Sequence, residues 1–334
     1  MTGPAWDWTT DSRARLGRFL AERGLCGADV TTRLIGEGHS NLTYLVGDGE
    51  RSLVVRRPPP PPTPPGAHDM LREARLLTAL EDTPVPVPRV LATAEAGEVI
   101  DSPLYAMTFA EGPVVTTRTP APLDEPLTRR QVGEHLVDVL ADLHAVDWQA
   151  VGGRPEGFNR RHLAAVARLV PEPPSEAFVR LHGWLAASAP GESGASVVHN
   201  DYRIGNVVLA PDRPGRVVAV LDWELATVGD PLFDVGYFLA SVPEGRAETA
   251  TELFGTALLE DGYPTRAELA ERYATRTGRD LGALDWYVAL AQWKLAALYD
   301  YQRRKGTDDY YADPTWVTGF VAAGCRAAGI EANQ

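Results

Sequence analysis

Apolar positions recur with a helical period at the start of the chain, alternate through short β-branched runs, and return to a helical period after about residue 127. Leu16, Phe19 and Leu20 share one face of a first helix that Asp11 is expected to cap and Gly24 to stop. "VTTRLI" (30–35), "NLTYLV" (41–46) and "SLVVR" (52–56) are separated by "GEGHS" and "GDGE", a pattern that predicts an antiparallel meander with tight turns. Pro58 to Pro65, interrupted by Thr63, cannot enter a helix or sheet interior and is expected to be an extended surface spacer. In "AHDMLREARLLTALE" (67–81), Met70, Ala74, Leu77 and Leu80 fall on one helical face, and Glu73 lies on the same helix. Two proline-punctuated strands follow, "VPRVLATAE" and "SPLYAMTFAEG", the second running into a connector at Gly112. Beyond it, Val132, Leu136, Val139 and Leu143 repeat at helix spacing. A strand-rich first third followed by a helix-rich remainder predicts an α+β chain of two lobes.

One polar cluster interrupts this pattern. "VVHNDYRIGNVVL" (197–209) sets His199, Asp201 and Asn206 between apolar runs that read as buried strand. "NVVL" and "RVVAVLD" (216–222) flank "APDRPG", which predicts a hairpin bringing Asn206 and Asp222 to neighbouring strand ends. An Asp, an Asn five residues on and a second Asp across a hairpin suit metal-assisted phosphoryl transfer. One carboxylate orients a hydroxyl, and two oxygen donors hold magnesium.

Composition narrows the partners. A net charge of −13 over 334 residues disfavours duplex nucleic acid and anionic membrane surfaces, which would repel the chain at long range. The first twenty residues carry acidic groups and no unbroken apolar stretch, so neither a secretory signal nor a membrane span is expected, and the cytoplasm is the expected compartment. Cys26 and Cys325 are the only cysteines and show no zinc-ligand spacing. Lysine occurs only at Lys294 and Lys305, which excludes lysine chemistry from the first 293 residues. Nothing in the pattern sets an oligomeric state.

"HNDYRIGN" followed by "LDWELATVGDPLFDVGYFLA" resembles the aminoglycoside phosphotransferase and choline kinase-like superfamily, a branch of the protein-kinase-like fold. The resemblance implies a bilobal fold, with an antiparallel-sheet nucleotide lobe over residues 1–109 and a mainly helical catalytic and acceptor lobe over 110–334. It implies ATP and Mg²⁺ as cofactors and a small-molecule hydroxyl as acceptor. By resemblance Asp201 is the catalytic carboxylate, Asn206 and Asp222 are magnesium ligands, and His199 and Asp234 support the loop, with Asp230 capping the same turn. Ser40 and Asn41, in "GEGHSNLTY", correspond to the phosphate-covering loop, where a simple turn is the alternative. Arg56 stands where these kinases carry the nucleotide lysine, and Glu73 is its expected partner, the alternative being an exposed ion pair. Met107 and Phe109 mark the connector against which adenine would sit. "DWE" at 222–224 departs from the protein-kinase "DFG".

Arg56, "HNDYRIGNVVL" and "WKLAALY" resemble in particular the phosphotransferase domains associated with acyl-CoA dehydrogenases. That subgroup implies a hydroxyacyl-CoA or hydroxy acid as acceptor. The alternatives are an aminoglycoside or other antibiotic, or a catalytically weak nucleotide-binding pseudokinase, to which the missing lysine points. His144 is expected to be a satisfied core histidine, and Trp286, Tyr287, Trp293 and Tyr299 core residues in preference to an aromatic cage. "RRK" at 303–305 reads as a solvated face or as a contact for acceptor phosphates.

Overall fold

A computed structural model gives the fold and describes residues 7–35, 41–60, 68–121, 123–245, 255–306 and 308–331. The chain divides into two compact units, one of residues 1–111 with 221–224, the other of 112–220 with 225–334.

The first unit opens with helix α1 (Thr10–Glu22). Its cap is Thr9 and not Asp11: the Thr9 backbone is extended, and its hydroxyl accepts the Ser12 N–H at 3.1 Å. Asp11 is already helical and pairs with Arg15 one turn on. Strands β1 (Thr31–Leu34), β2 (Leu42–Gly47), β3 (Ser52–Arg57), β4 (Val90–Ala94) and β5 (Leu104–Thr108) form one antiparallel sheet in the order β1-β2-β3-β5-β4. The meander expected from the alternating runs is therefore present. Leu53 and Val55 join Leu16, Phe19, Leu20 and Tyr44 in the core on one face. The two-residue period sends Val54 and Arg56 to the other face, where Arg56 is opposite Tyr105 across the ladder. Helix α2 (Met70–Leu80), capped by Asp69, packs on β4 and β5 and buries Met70, Ala74, Leu77, Leu80 and Glu73.

The second unit contains helices α3 (Pro126–Ala145), α4 (Phe158–Ala167), α5 (Glu176–Ala187), α6 (Pro231–Ala240), α7 (Arg266–Thr277), α8 (Leu284–Lys305) and α9 (Pro314–Ala327). Val132, Leu136, Val139 and Leu143 are buried on α3, as their spacing requires. Two small antiparallel pairs complete the unit. Strand β6 (Ser196–Val198) pairs with β9 (Thr227–Gly229), and β7 (Val207–Leu209) pairs with β8 (Val217–Val220). The sequence predicts only the second pairing, because three residues of "TVG" are too short to announce a strand. Gly112, at φ +151°, runs so close to the Leu209 carbonyl that a Cβ would lie 1.9 Å from it. Among the described residues no helix is long and apolar enough to cross a membrane.

All ten residues of α6 are buried, and α8 is buried on every side from Trp286 to Ala297. The two helices pack closely at Gly236, where a Cβ would lie 2.5 Å from Tyr287 Cβ and 2.6 Å from its backbone carbon. Gly236→Ala must part the helices and is expected to cost at least about 1–3 kcal/mol. Urea unfolding checks this, and an unchanged midpoint would contradict the packing described.

Candidate active site

The polar segment after β6 is a loop over a buried carboxylate. Asp234, on the first turn of α6 and fully buried, accepts the His199 N–H at 2.5 Å and the Asn200 N–H at 2.8 Å. A buried carboxylate is costly unless its lone pairs are used, and here two backbone donors use them. His144 adds its Nε2 at 3.5 Å and its Nδ1 meets the Tyr273 hydroxyl at 2.7 Å, so it is a satisfied core histidine with its pKa lowered by burial. Asp230 caps α6 through the Leu232 N–H at 3.0 Å and also receives the Tyr287 hydroxyl at 2.6 Å and Ser193.

Asn200 takes a left-handed backbone, φ +66°, uncommon for a residue other than glycine. Its amide donates to the Leu225 carbonyl at 2.7 Å, and its carbonyl accepts the Lys294 ammonium at 2.7 Å. Tyr202, next on the loop, is buried and bonds the Leu136 carbonyl at 2.8 Å. The loop thus turns sharply on anchors from α3, α6 and α8, and it presents Asp201.

The Asp201 carboxylate, 19% exposed, accepts the Tyr237 hydroxyl on Oδ1 at 2.6 Å and the Asn206 amide on Oδ2 at 2.7 Å. Arg203 Nε stands 3.6 Å from Oδ1. His199 is fully buried and its Nδ1 accepts the Asp201 N–H at 3.2 Å. Asn206 also donates to the Asp201 carbonyl at 2.8 Å. With its NH₂ group committed to Asp201, Asn206 is oriented with its carbonyl oxygen as the end that can meet a cation. His199, Asp201, Asn206 and Asp234 are therefore brought together within the second unit.

The first unit gathers a second set. Arg56, 7% exposed on β3, donates to Glu73 at 2.7 Å and to Asp222 at 3.2 Å, with Glu224 at 3.8 Å. The alternative of an exposed pair is excluded by this burial. Burial pushes the Glu73 carboxyl up, and the Arg56 charge opposes that. Asp222, with φ +65° and a side chain 40% exposed, offers carboxylate oxygens, hard donors of the kind that suits Mg²⁺, and within the second unit the Asn206 carbonyl is a donor of the same kind. Magnesium sites rely on one or two protein oxygens together with phosphates and water, so these residues fit that ion. Among the described residues no cluster of three or more His, Cys, Asp or Glu offers a dedicated metal cage.

Asn41 is buried, with its amide donating to Glu224 at 2.8 Å and its oxygen against His68 Nδ1 at 2.8 Å, which leaves phosphate contact to its backbone. Ser40 lies outside the described residues. Met107 is buried on β5, paired with Val54, whereas Phe109 just beyond it is 43% exposed. Trp286, Tyr287 and Trp293 are core; Tyr299 is half-buried among Tyr310, Tyr311, Trp316 and Phe320. Arg303 and Arg304 close on the buried Asp300 at 2.7 Å each.

Residues 31–271 match the profile of the phosphotransferase enzyme family. The chain belongs to that family. Its relatives agree with the more particular resemblance. "Probable acyl-CoA dehydrogenase IBR3" of Arabidopsis thaliana is 32% identical over 331 residues, covering 90% of this chain and 38% of that protein. Acyl-CoA dehydrogenase family member 10 of Mus musculus is 30% identical over 302 residues, covering 83% of this chain and 27% of that protein. The phosphotransferase therefore spans roughly a third of the length of these relatives. A candidate aminoglycoside phosphotransferase of Ralstonia eutropha superposes with a TM-score of 0.76 at 27% identity, over 94% of this chain and 97% of that one. A thermostable mutant of aminoglycoside phosphotransferase APH(4)-Ia, in complex with AMP-PNP and hygromycin B, shares the fold at a TM-score of 0.61 and 21% identity, over 93% of this chain and 98% of that one. The phosphotransferase thus has the kinase-like α+β fold that its motif implies.

Tyr237 and Lys294, both in direct contact with the loop, belong to no motif that marks them as site residues. The available signal was one of the chain's two lysines inside the largely apolar run "YVALAQWKLAALY".

Arg56→Ala would leave Glu73 buried without its main counter-charge, and one-sided removal of such a pair costs about 3–5 kcal/mol. The Glu73 pKa, already raised above its ordinary 4.5, rises further in the variant. A carboxyl with a raised folded pKa contributes stability that is present below the ordinary value and lost as pH climbs through the raised one. The deficit of the variant against the wild type is therefore expected to be larger at pH 8 than at pH 5 in urea unfolding. Equal deficits would contradict this.

Proposed function

We propose that the chain transfers the γ-phosphoryl group of ATP to a hydroxyl of a small molecule, with a hydroxyacyl-CoA or hydroxy acid as acceptor. The observation that carries the reading is Asp201: a partly exposed carboxylate fixed on one oxygen by Tyr237 and on the other by Asn206, in a loop pinned to Asp234. A carboxylate held in this way aims an acceptor hydroxyl and takes its proton as the oxygen attacks phosphorus. The bond from the γ-phosphorus to the bridging oxygen breaks, and ADP leaves. Asn206 and Asp222 would hold Mg²⁺, which neutralises phosphate charge when bound. Arg56, set by Glu73, would meet phosphate oxygens with its planar fork. Ser40 and the Asn41 backbone would cover the phosphates, and Met107 and Phe109 would flank the adenine. His199 and Asp234 support the loop and touch no substrate.

The acyl-CoA dehydrogenase names of the relatives support the acceptor class. The run 303–305 does not, because Arg303 and Arg304 are spent on Asp300 and Arg304 also reaches the Glu172 carbonyl at 2.6 Å. An aminoglycoside acceptor draws support from the structural neighbours. A second reading, nucleotide binding without turnover, rests on the hydrogen bond from Arg56 to Asp222, which ties a proposed magnesium ligand to a cation.

Mg²⁺-dependent ADP release across hydroxyacyl-CoAs, hydroxy acids, aminoglycosides, choline-like alcohols and sugars separates these readings. Turnover is expected with the first two classes. Tight ATP binding with no turnover across the panel would support the second reading. With an acceptor found, Asp201→Asn is expected to lower kcat by about 10²–10⁴-fold while ATP affinity stays near wild type. A fully active variant would refute the role given to Asp201.

A further inference from the structure

Helix α8 is buried from Trp286 to Ala297, and its polar members there are Gln292 and Lys294, each 4% exposed. Gln292 caps the Ala240 carbonyl at 3.1 Å, a structural use. Lys294 is different. Its ammonium donates to the Asn200 carbonyl at 2.7 Å and stands over the rings of Tyr237 and Phe233, 4.8 and 5.1 Å from their centroids. A buried ammonium is among the costliest groups to desolvate, so a fold that needed only volume here would be better served by methionine or leucine.

Two supports of Asp201 converge on this one cation. The first is the peptide joining Asn200 to Asp201: Lys294 holds its carbonyl, and His199 Nδ1 receives its N–H at 3.2 Å. A planar peptide held at both ends has its orientation fixed, and with it the direction in which the Asp201 side chain leaves the backbone. The second is Tyr237, whose hydroxyl holds Asp201 Oδ1 at 2.6 Å while its ring lies against the ammonium. Lys294 therefore reaches Asp201 through both neighbours.

We propose that Lys294 is a positioning residue for phosphoryl transfer, a buried cation that holds the Asn200 peptide and the Tyr237 ring so that Asp201 is aimed. This rests on the role given to Asp201 above. The lysine absent from the nucleotide strand is thus not the only lysine of consequence. The second unit carries one that steers the acceptor side of the reaction.

The surroundings give the role a pH dependence. Burial pulls the Lys294 pKa down to about 8, and the charges of Asp201 and Asp234 oppose the fall. Asp234 and Tyr237 face it from α6 and Asp201 from the loop; His162 lies on the α4 side, its own pKa pushed to about 3 by burial and by the Lys294 charge. His182, from α5, stacks on the adjacent Trp293. Tyr237 is held neutral well above its usual value by burial and by Asp201, and the lowered pKa of Lys294 puts the loss of its proton in the range between pH 7 and 9.5.

Amide hydrogen exchange of residues 197–206, with 41–57 as internal reference, tests this in the full chain for wild type, Lys294→Met and Lys294→Arg. Lys294→Met is expected to speed exchange at Asn200 and Asp201 about tenfold or more and to leave 41–57 unchanged, whereas Lys294→Arg restores most of the protection. Wild-type loop protection is expected to fall between pH 7 and 9.5, and that of Lys294→Arg to hold. With a working acceptor, kcat of Lys294→Met is expected to fall about 10²-fold at an unchanged KM for ATP. Loop exchange within twofold of wild type in Lys294→Met would overturn the proposal, as would the same pH response in wild type and Lys294→Arg. Absent turnover in the wild type would count against the proposed reaction, while the exchange result would still decide the positioning role.

Discussion

The buried carboxylate of Asp234 is the constraint on which the larger unit depends. It sits fully buried at the start of a helix with no exposed residue, and two consecutive backbone N–H groups of the loop satisfy it. The dependence runs both ways, because an unsatisfied carboxylate here would be too costly to bury and an unanchored loop would have no reason to hold Asn200 at φ +66°. The other anchors follow from that turn. Tyr202 ties it to α3, Lys294 ties it to α8, and Tyr237 reaches from α6 to the side chain that the turn presents. A helix pair close enough to permit this needs Gly236, so packing and site geometry are one arrangement.

The smaller unit has its own buried charge centre. Arg56 and Glu73 come from a strand and a helix packed on one face of the sheet, and the alternation of β3 decides that Arg56 points there and not into the core with Leu53 and Val55. A guanidinium can serve Glu73 and Asp222 at once through separate nitrogens. An ammonium in its place would be a point charge shared between them. Arg56 is thus matched by acidic partners on two sides.

Much of this was legible in the chain. Strand runs at 41–46 and 52–56 and the helix carrying Glu73 follow from local periodicity, and the polar segment at 197–209 stands out because it breaks two apolar runs. Its match to a kinase-like pattern named the family, which the matching profile shows. What the pattern could not show depends on distant packing. Asn200 and Lys294 are 94 residues apart, and Tyr237 and Asp201 are 36 apart. A core tyrosine looks like any other residue of α6 until that helix is docked, and the rarity of lysine marks Lys294 without saying which groups it meets. Local rules also misplaced the cap of α1, since Asp11 and Thr9 are both good capping residues and only the backbone angle chooses between them. The β6–β9 pair was missed for the related reason that three-residue strands carry no period.

The roles proposed for the site require phosphorus to move from ATP to a carbon-bound hydroxyl. The most direct measurement is ³¹P NMR of the wild-type protein with ATP, Mg²⁺ and a hydroxyacyl-CoA carrying ¹⁸O in its hydroxyl. A new phosphate monoester resonance is expected that grows in step with ADP and retains the label in the ester bridge. ADP accompanied only by unlabelled inorganic phosphate, with no ester formed, would contradict it.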